Sequence, residues 1–305
     1  MGKEAEKPRH YPSIPQRGAS NRAIQQHYDV GNDFYRLWLD ESMTYSAAMW
    51  GDSVTSLGDA QRRKRAYLMH LARVAGAESV LDIGCGWGSC LTDLVNEHNV
   101  GHAVGLTLSP AQIDWINTRA LPRVEVRLES WEDHTPFTLY DSVLVIGALE
   151  HFARPEHTHE ERIAIYRHFF RKCHAMLKPG GWLIIQTQAY LRGEYSSTSP
   201  ASIVFPESDM PRLSQIVAGF DRLFELESMR NDPEDYCRTL EAWIDNFRKN
   251  REQIVATSNA SLYETYSRYL VGGLKGYTRK IFMLLRISLR RVDDESYPRS
   301  EQKVT

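Results

Sequence analysis

The sequence predicts an α/β fold built on a mostly parallel sheet, and three observations carry that prediction. Short apolar runs alternate with amphipathic stretches from about residue 79 to residue 189, the pattern of strands joined by crossover helices. The run Val80-Leu81-Asp82-Ile83 leads straight into Gly84-Cys85-Gly86-Trp87-Gly88, and a helical pattern (Ser89 to Glu97) follows at once. Lys178-Pro179-Gly180-Gly181 makes a stop-and-turn ahead of a fifth apolar run.

Taken in order, residues 1–20 and 292–305 are polar and without periodicity, and read as flexible tails. Asn21 to Asp40 carries a helical pattern with an aromatic face that includes Tyr28, Phe34, Tyr35 and Trp38. Leu57, Ala60, Lys64, Tyr67, Leu68 and Leu71 recur at helical spacing and predict a long helix over 56–74. Strands are predicted at 79–83, 102–107, 123–128, 140–146 and 182–189, with helices at 89–97, 110–119 and 160–177 between them. After Ala189 the rhythm changes. Residues 190–222 are rich in Ser, Gly and Pro and read as irregular. A strand over 223–230, helices over about 236–256 and 260–276, and a last strand near 280–290 complete the chain. The expected unit is one domain, 21–291. It has a helical N-terminal cap (21–75), a core (76–189) and two insertions (190–222 and 236–276) suited to covering the carboxyl edge of the sheet.

Composition narrows the function classes. At 305 residues, with 42% hydrophobic and 25% charged residues, the chain has the balance of a globular protein able to bury a sizeable core. A net charge of −2 gives no reason to expect nucleic acid, and the basic runs Arg62-Arg63-Lys64-Arg65 and Arg279 to Arg291 read as solvated faces. No 18-residue apolar run occurs and the N-terminus is polar, so the expectation is a cytoplasmic protein without integral membrane association. The four cysteines (85, 90, 173, 237) have neither metal nor disulfide spacing and read as reduced thiols. His157-x-His159 lacks a third ligand at a telling spacing and reads as a solvated loop, so no metal is expected. Homo-oligomerisation is left open.

Glycines at 84, 86 and 88 let backbone approach a ligand closely, and the helix that follows aims its N-terminal amides at whatever lies over the turn. Alone, the motif fits NAD, FAD and S-adenosylmethionine (SAM) equally. Seven further segments narrow it. They are His27 to Tyr35, Met43-Thr44-Tyr45-Ser46, Gly105 to Ser109, Gly147-Ala148-Leu149-Glu150-His151-Phe152, Leu177 to Gly181, Phe205-Pro206 and Asp235 to Leu240. In this order, from about residue 21 to 291, the chain resembles the cyclopropane-fatty-acid synthase family of SAM-dependent methyltransferases, which includes the mycolic acid cyclopropane synthases. The resemblance implies a Rossmann-like class I methyltransferase sheet of seven strands, the last antiparallel. A helical N-terminal segment and a helical cap inserted after the fifth strand go with it.

It also implies a cofactor site. Asp82, Gly84, Gly86 and Gly88 would form the turn against SAM, and Thr107, Leu108 and Gln112 would face its ribose and adenine, with Gln112 in place of the usual acid. Ser130 and Trp131 would border the adenine, Ile146 would line the site, and Tyr45 and Ser46 would close over the methionine end. Plain core packing is the competing reading for Trp131.

The departures from the family concern the chemistry. Its cyclopropane-forming members hold a bicarbonate base with a Cys, a Glu, a His and a Tyr, and carry another Cys in the C-terminal helix. Here Glu150 and Tyr236 remain, but Ala47 replaces the Cys, Gln186 the His, Gln188 an Ile, and Gly273 the helix Cys. Closing a cyclopropane requires removal of a proton from the added methyl. A His relays protons near neutral pH and a Gln does not. The replacements argue against bicarbonate binding and ring closure, and leave methyl transfer to carbon or nitrogen of a small-molecule acceptor. A lipid enzyme acting on an unsaturated acyl chain and a non-catalytic SAM-binding protein are the alternatives. Glu150, after the apolar run Val143 to Ile146, is the candidate base, with burial expected to raise its pKa. A structural carboxylate is the competing reading. Tyr236 and His151 are the next candidates for handling the proton, and Gln186, Gln188 and Tyr236 for holding the acceptor.

Overall fold

In the computed structural model, which describes residues 18–20 and 30–293, a seven-stranded sheet runs in the order β3-β2-β1-β4-β5-β7-β6. The chain enters through α1 (Asn32–Arg36) and α2 (Leu57–Leu71), then builds β1 (Ser79–Ile83), α3 (Ser89–Asn96), β2 (His102–Thr107), α4 (Pro110–Asn117) and β3 (Val124–Leu128). It continues through β4 (Tyr140–Ile146), a single 3-10 turn at Leu149–His151, α5 (His159–Met176) and β5 (Leu177–Tyr190). The remainder is α6 (Pro200–Val204), α7 (Leu213–Phe220), β6 (Phe224–Asn231), α8 (Pro233–Lys249), α9 (Arg251–Thr257), α10 (Ala260–Thr278) and β7 (Phe282–Arg291). Strands β1 to β5 pair in parallel, and β7 runs antiparallel to both β5 and β6. Among the described residues no helix is long and apolar enough to cross a membrane.

Local chemistry starts these elements. Ser56, Ser109 and Asn259 cap α2, α4 and α10 by accepting from backbone N–H groups one turn in, and Thr158 and Glu161 form a reciprocal capping box on α5. All five residues of β1 are buried, as a central parallel strand requires. One side of the sheet packs on α5 through Ile165, Phe169 and Cys173, and the other on α2 and α3 through Leu68, Leu91 and Leu94. A third core is almost wholly aromatic. Trp38 stands edge-on to Trp243 and Phe247, with ring centroids 5.6 and 6.0 Å apart, and joins the N-terminal segment to α8. Strand order reverses between β1 and β4, and that switch point opens a crevice beyond the strand ends.

Several expectations require correction. The aromatic face does pack, but from Asn21 to Asp40 the structure gives only the short α1 and turns within the described residues; Tyr28 lies outside them. Lys178 to Gly181 does not precede β5 but bulges within it: Tyr140 pairs with Leu177, and Ser142 with Trp182. The segment 190–222 is not wholly irregular, since α6 and α7 form there. The single helix expected over 236–256 breaks at Asn250, whose Nδ2 donates to Leu37 O at 2.6 Å and ties the break to the N-terminal segment. The basic runs are not simply solvated. Lys64, Arg65 and Arg286 are buried, because each meets fixed acceptors: Ser46 Oγ at 2.9 Å, Asp93 at 2.5 Å, and Asp232 with Asp235. At the edges of the expected tails, Ala19 N donates to His151 O and Val292 N to Leu223 O; the rest of both tails lies outside the described residues.

Candidate active site

Two adjoining cavities lie at the carboxyl edge of the sheet and share Gly147 and His151. The first, of about 600 Å³, sits over the β1 turn. Gly84 N and Cys85 N both donate to Leu106 O, at 2.9 and 3.0 Å, which folds the turn back on β2. That tie holds Gly84 at φ +76° and Gly86 at φ +55°, conformations that glycine adopts without strain. Among the described residues a Cβ at Gly86 would meet no atom beyond its chain neighbours within 4 Å, so they leave the space beside this backbone open. Thr107, Leu108, Gln112, Ser130 and Trp131 line the same cavity. Thr107 Oγ1 donates to Gln112 Oε1 at 2.5 Å, which fixes the amide and leaves its nitrogen as the donor end. Trp131 both borders the cavity and packs on Phe152 and Phe169, centroids 5.1 and 5.2 Å away, so wall and core are one role.

Five expected members do not line this cavity. Asp82 is buried on β1; desolvation lifts its carboxyl to about 7, while the Lys64 charge pulls it down. Gly88 instead makes room for Ile116, whose side chain a Cβ would approach to 2.9 Å. Ile146 packs against the core that includes Leu144 and Ile184. Tyr45 and Ser46 line the second cavity rather than the first, although Ser46 Cβ would stand 3.8 Å from a Cβ at Gly147, the shared residue.

The second cavity, of about 320 Å³, lies between β5, the 190–210 segment and helices α8 and α10. Glu150 lines it. One carboxylate oxygen, Oε1, accepts from Gln188 N at 2.8 Å, and the other, Oε2, is buried with no hydrogen-bond partner among the described residues. Burial raises the carboxyl to about 7, against the opposing pulls of the Gln188 N–H, its own N–H and the Thr187 hydroxyl. His151 is half-buried; its Nδ1 bonds Ser208 Oγ at 2.6 Å, and desolvation lowers its pKa to about 4, so it is neutral at pH 7. Tyr236 lines the cavity with its ring 4.8 Å from that of Tyr277.

The two glutamines differ. Gln186, expected to hold the acceptor, is 2% exposed and already engaged at both ends: Oε1 accepts from Arg286 Nε at 2.9 Å and Nε2 donates to Ala47 O at 3.0 Å. Gln188 accepts from Tyr277 OH at 3.1 Å and faces the cavity more openly. Sequence reasoning missed Tyr269, Tyr277 and Arg286. The two tyrosines bracket Gly273 at four-residue steps on α10, a helical stripe that the sequence did display. Arg286 gave no signal within its basic run. His157 is no solvated loop residue either, since its Nδ1 accepts from Arg154 N. Among the described residues no group of three or more His, Cys, Asp or Glu side chains could hold a metal ion.

Comparison with known proteins agrees with this geometry. The family described as mycolic acid cyclopropane synthetase matches residues 16–287. Cyclopropane mycolic acid synthase 2 of Mycobacterium leprae (strain TN) is 31% identical over 275 residues, covering 82% of this chain and 87% of the relative. The cyclopropane synthase MmaA2 from Mycobacterium tuberculosis superposes with a TM-score of 0.81 at 26% identity, over 90% of this chain and 99% of that one. The mycolic acid cyclopropane synthase CmaA1, solved with SAH and CTAB, superposes at 0.78 with 25% identity, over 89% and 98%. With the glycine turn at the switch point, and SAH (the demethylated form of SAM) in a relative of this fold, the chain belongs to the mycolic acid cyclopropane synthetase family and is a SAM-dependent methyltransferase.

Proposed function

We propose that the chain methylates a compact small-molecule acceptor, at carbon or nitrogen, and closes no cyclopropane ring. The observation that carries this is the engagement of Gln186 by Arg286 and Ala47 O. An amide has no proton to relay at neutral pH, and here both its ends are in use. Ala47, at the position where the resemblance implies a Cys, offers only a methyl group. Of the set implied for bicarbonate, Glu150 and Tyr236 are left.

SAM supplies an electrophilic methyl group on a sulfonium. The residues around the first cavity suit it. Gly84 and Gly86 leave backbone open to close approach, Gln112 offers an amide donor, and Trp131 provides a flat apolar wall. Ser46, near the shared Gly147, and the turn itself would hold the amino-acid end. Glu150 would take a proton from the acceptor, its raised pKa suiting a base that works near neutrality. His151, neutral at the junction of the cavities, would orient groups rather than carry charge.

The names of the relatives favour a second reading, an unsaturated acyl chain as acceptor, and the tyrosine and phenylalanine rings in the lining of the second cavity suit an apolar ligand. Intact-mass screening separates the two. Small metabolites and monounsaturated lipids are incubated with the chain and SAM, and products are searched for a 14-dalton gain. A gain confined to lipids would overturn the small-molecule reading.

A further inference from the structure

We infer that the acceptor is an amine, held by Glu150 within a cage of tyrosine rings, and that its nitrogen takes the methyl group. This rests on the small-molecule reading and narrows it.

The first ground is the orphaned oxygen. Glu150 Oε2 is buried in the cavity wall and has no hydrogen bond of normal geometry among the described residues: the nearby Thr187 hydroxyl, whose influence the carboxyl feels, donates to Gln188 O at 3.1 Å, while Oε1 is satisfied by Gln188 N. A buried carboxylate oxygen left unpaired is costly, and a ligand N–H would remove that cost. Neither an alkene nor a carboxylate offers a donor there.

The second ground is charge. Among the described residues no Lys or Arg lines this cavity. Arg286 lies behind Gln186, neutralised by Asp232 and Asp235 at 2.5 and 2.8 Å. His151 is neutral, and the one other acid in the lining, Glu194, is exposed and 3.7 Å from Arg212. An ionised Glu150 therefore faces no protein cation, and a cationic ligand would complement it.

The third ground is the lining. The rings of Tyr236, Tyr269 and Tyr277 face this space, and the last two lie close enough to Glu150 to feel its charge. Burial keeps the Tyr269 and Tyr277 phenols protonated, so their rings present neutral π faces of the kind that hold an ammonium. A volume of about 320 Å³ lies at the small end of ligand pockets, roughly 300–1,000 Å³, and suits a compact amine.

The chemistry balances. The ammonium form of the acceptor gives one proton to the Glu150 carboxylate, and the freed lone pair attacks the sulfonium methyl carbon. As the nitrogen–carbon bond forms, the carbon–sulfur bond breaks and its electron pair stays on sulfur, leaving SAH. The positive charge passes to the methylated nitrogen, and Glu150 returns its proton to solvent.

Binding rather than turnover tests this. The full chain saturated with SAH is titrated calorimetrically with ten pairs of ligands, each a primary or secondary amine and its carbon isostere, from ethylamine to bicyclic size, and with oleate. Charge-assisted hydrogen bonding predicts that the best amines bind about 10- to 100-fold tighter than their isosteres. Glu150→Gln should abolish that preference with SAH affinity unchanged. Tyr269→Leu should cost the amines about 3- to 10-fold, and Tyr269→Phe, which keeps the ring, should not. The Tyr269 pair serves even where the Glu150 variant folds poorly. No discrimination within any pair, a preference that survives Glu150→Gln, or tighter binding of oleate than of every amine would overturn the inference. Methylation of a small molecule at carbon alone would also defeat it while leaving the proposed function standing; a methylated or cyclopropanated lipid would defeat both.

Discussion

Glu150→Gln should slow the enzyme and, at alkaline pH, stabilise it, and the two effects together distinguish a base from a structural strut. The carboxyl is 6% exposed, and burial lifts its pKa from 4.5 to about 7. A carboxyl raised in this way makes its full contribution to stability below about pH 4.5 and loses it as pH climbs through about 7. Glutamine carries no such charge, and its Oε1 can still accept from Gln188 N. The variant therefore gains on the wild type as pH rises. At about 1.4 kcal/mol per tenfold change, the gain grows from about 1 kcal/mol near pH 5 to about 3 kcal/mol above pH 8. For a chain of 305 residues, that upper figure corresponds to about 5 °C in Tm. Turnover should move the other way, falling about 100- to 10,000-fold, as loss of a general base does, with SAH affinity nearly intact. Wild-type kcat/KM should rise with pH through about 7 and then level, as the free carboxyl ionises. Thermal unfolding at pH 5 and pH 8.5, calorimetry with SAH and a single-turnover assay read all three quantities. Near-normal kcat together with a lower Tm at both pH values would refute the reasoning and make Glu150 a strut.

Four further outcomes follow from other sites. Gly86→Val should lose at least about 10-fold in SAH affinity by calorimetry, since its side chain would stand in the open space of the first cavity at φ +55°; unchanged affinity in a folded variant would sink the cofactor assignment. Activity should not depend on bicarbonate, and monounsaturated phospholipid should yield no cyclopropyl product by mass spectrometry, because Ala47 and the doubly bonded Gln186 replace the Cys and His. Arg286→Leu should cost about 3–5 kcal/mol in denaturant unfolding by leaving Asp235 without its cation and Asp232 with Arg230 alone, and adding Asp235→Asn should recover much of it. Gly273→Ala should raise stability by up to about 1 kcal/mol, read as Tm, while raising KM for the acceptor and leaving SAH affinity alone.

How much the sequence disclosed depends on the range of the interactions involved. The strands, the β1 turn and the cofactor-side residues Gly84, Thr107, Gln112 and Trp131 follow from local patterns, and the structure gathers them around one cavity. Asp82 and Gly88 belong to the same local motif, and Ile146 ends β4, yet all three face away, because adjacent residues of a strand point to opposite sides of the sheet and Gly88 serves helix packing. Gln186 and Arg286 were illegible for a different reason. They lie 100 residues apart and meet only when β5 pairs with β7 in antiparallel register, Gln186 opposite Arg286. No spacing rule announces such a pair. The burial of Lys64 was hidden in the same way, since Ser46 satisfies it from outside its own helix.

The second cavity is bounded by a helix that gives up stability for room. Gly272 and Gly273 sit in the interior of α10, where each glycine costs about 1 kcal/mol relative to alanine. Neither is imposed by crowding: a Cβ at Gly272 would come no closer than 3.5 Å to Pro200, and one at Gly273 no closer than 3.5 Å to Leu240, both ordinary contacts. Neither has the positive φ that would require glycine. What the two share is the cavity, which they line together with Tyr269 and Tyr277 on the same helix. Side chains there would narrow the space that those rings share with the Glu150 carboxylate. The tyrosines provide the lining and the glycines provide the depth, so α10 sets what can reach Glu150 while the first cavity, on the other side of Gly147, is left untouched.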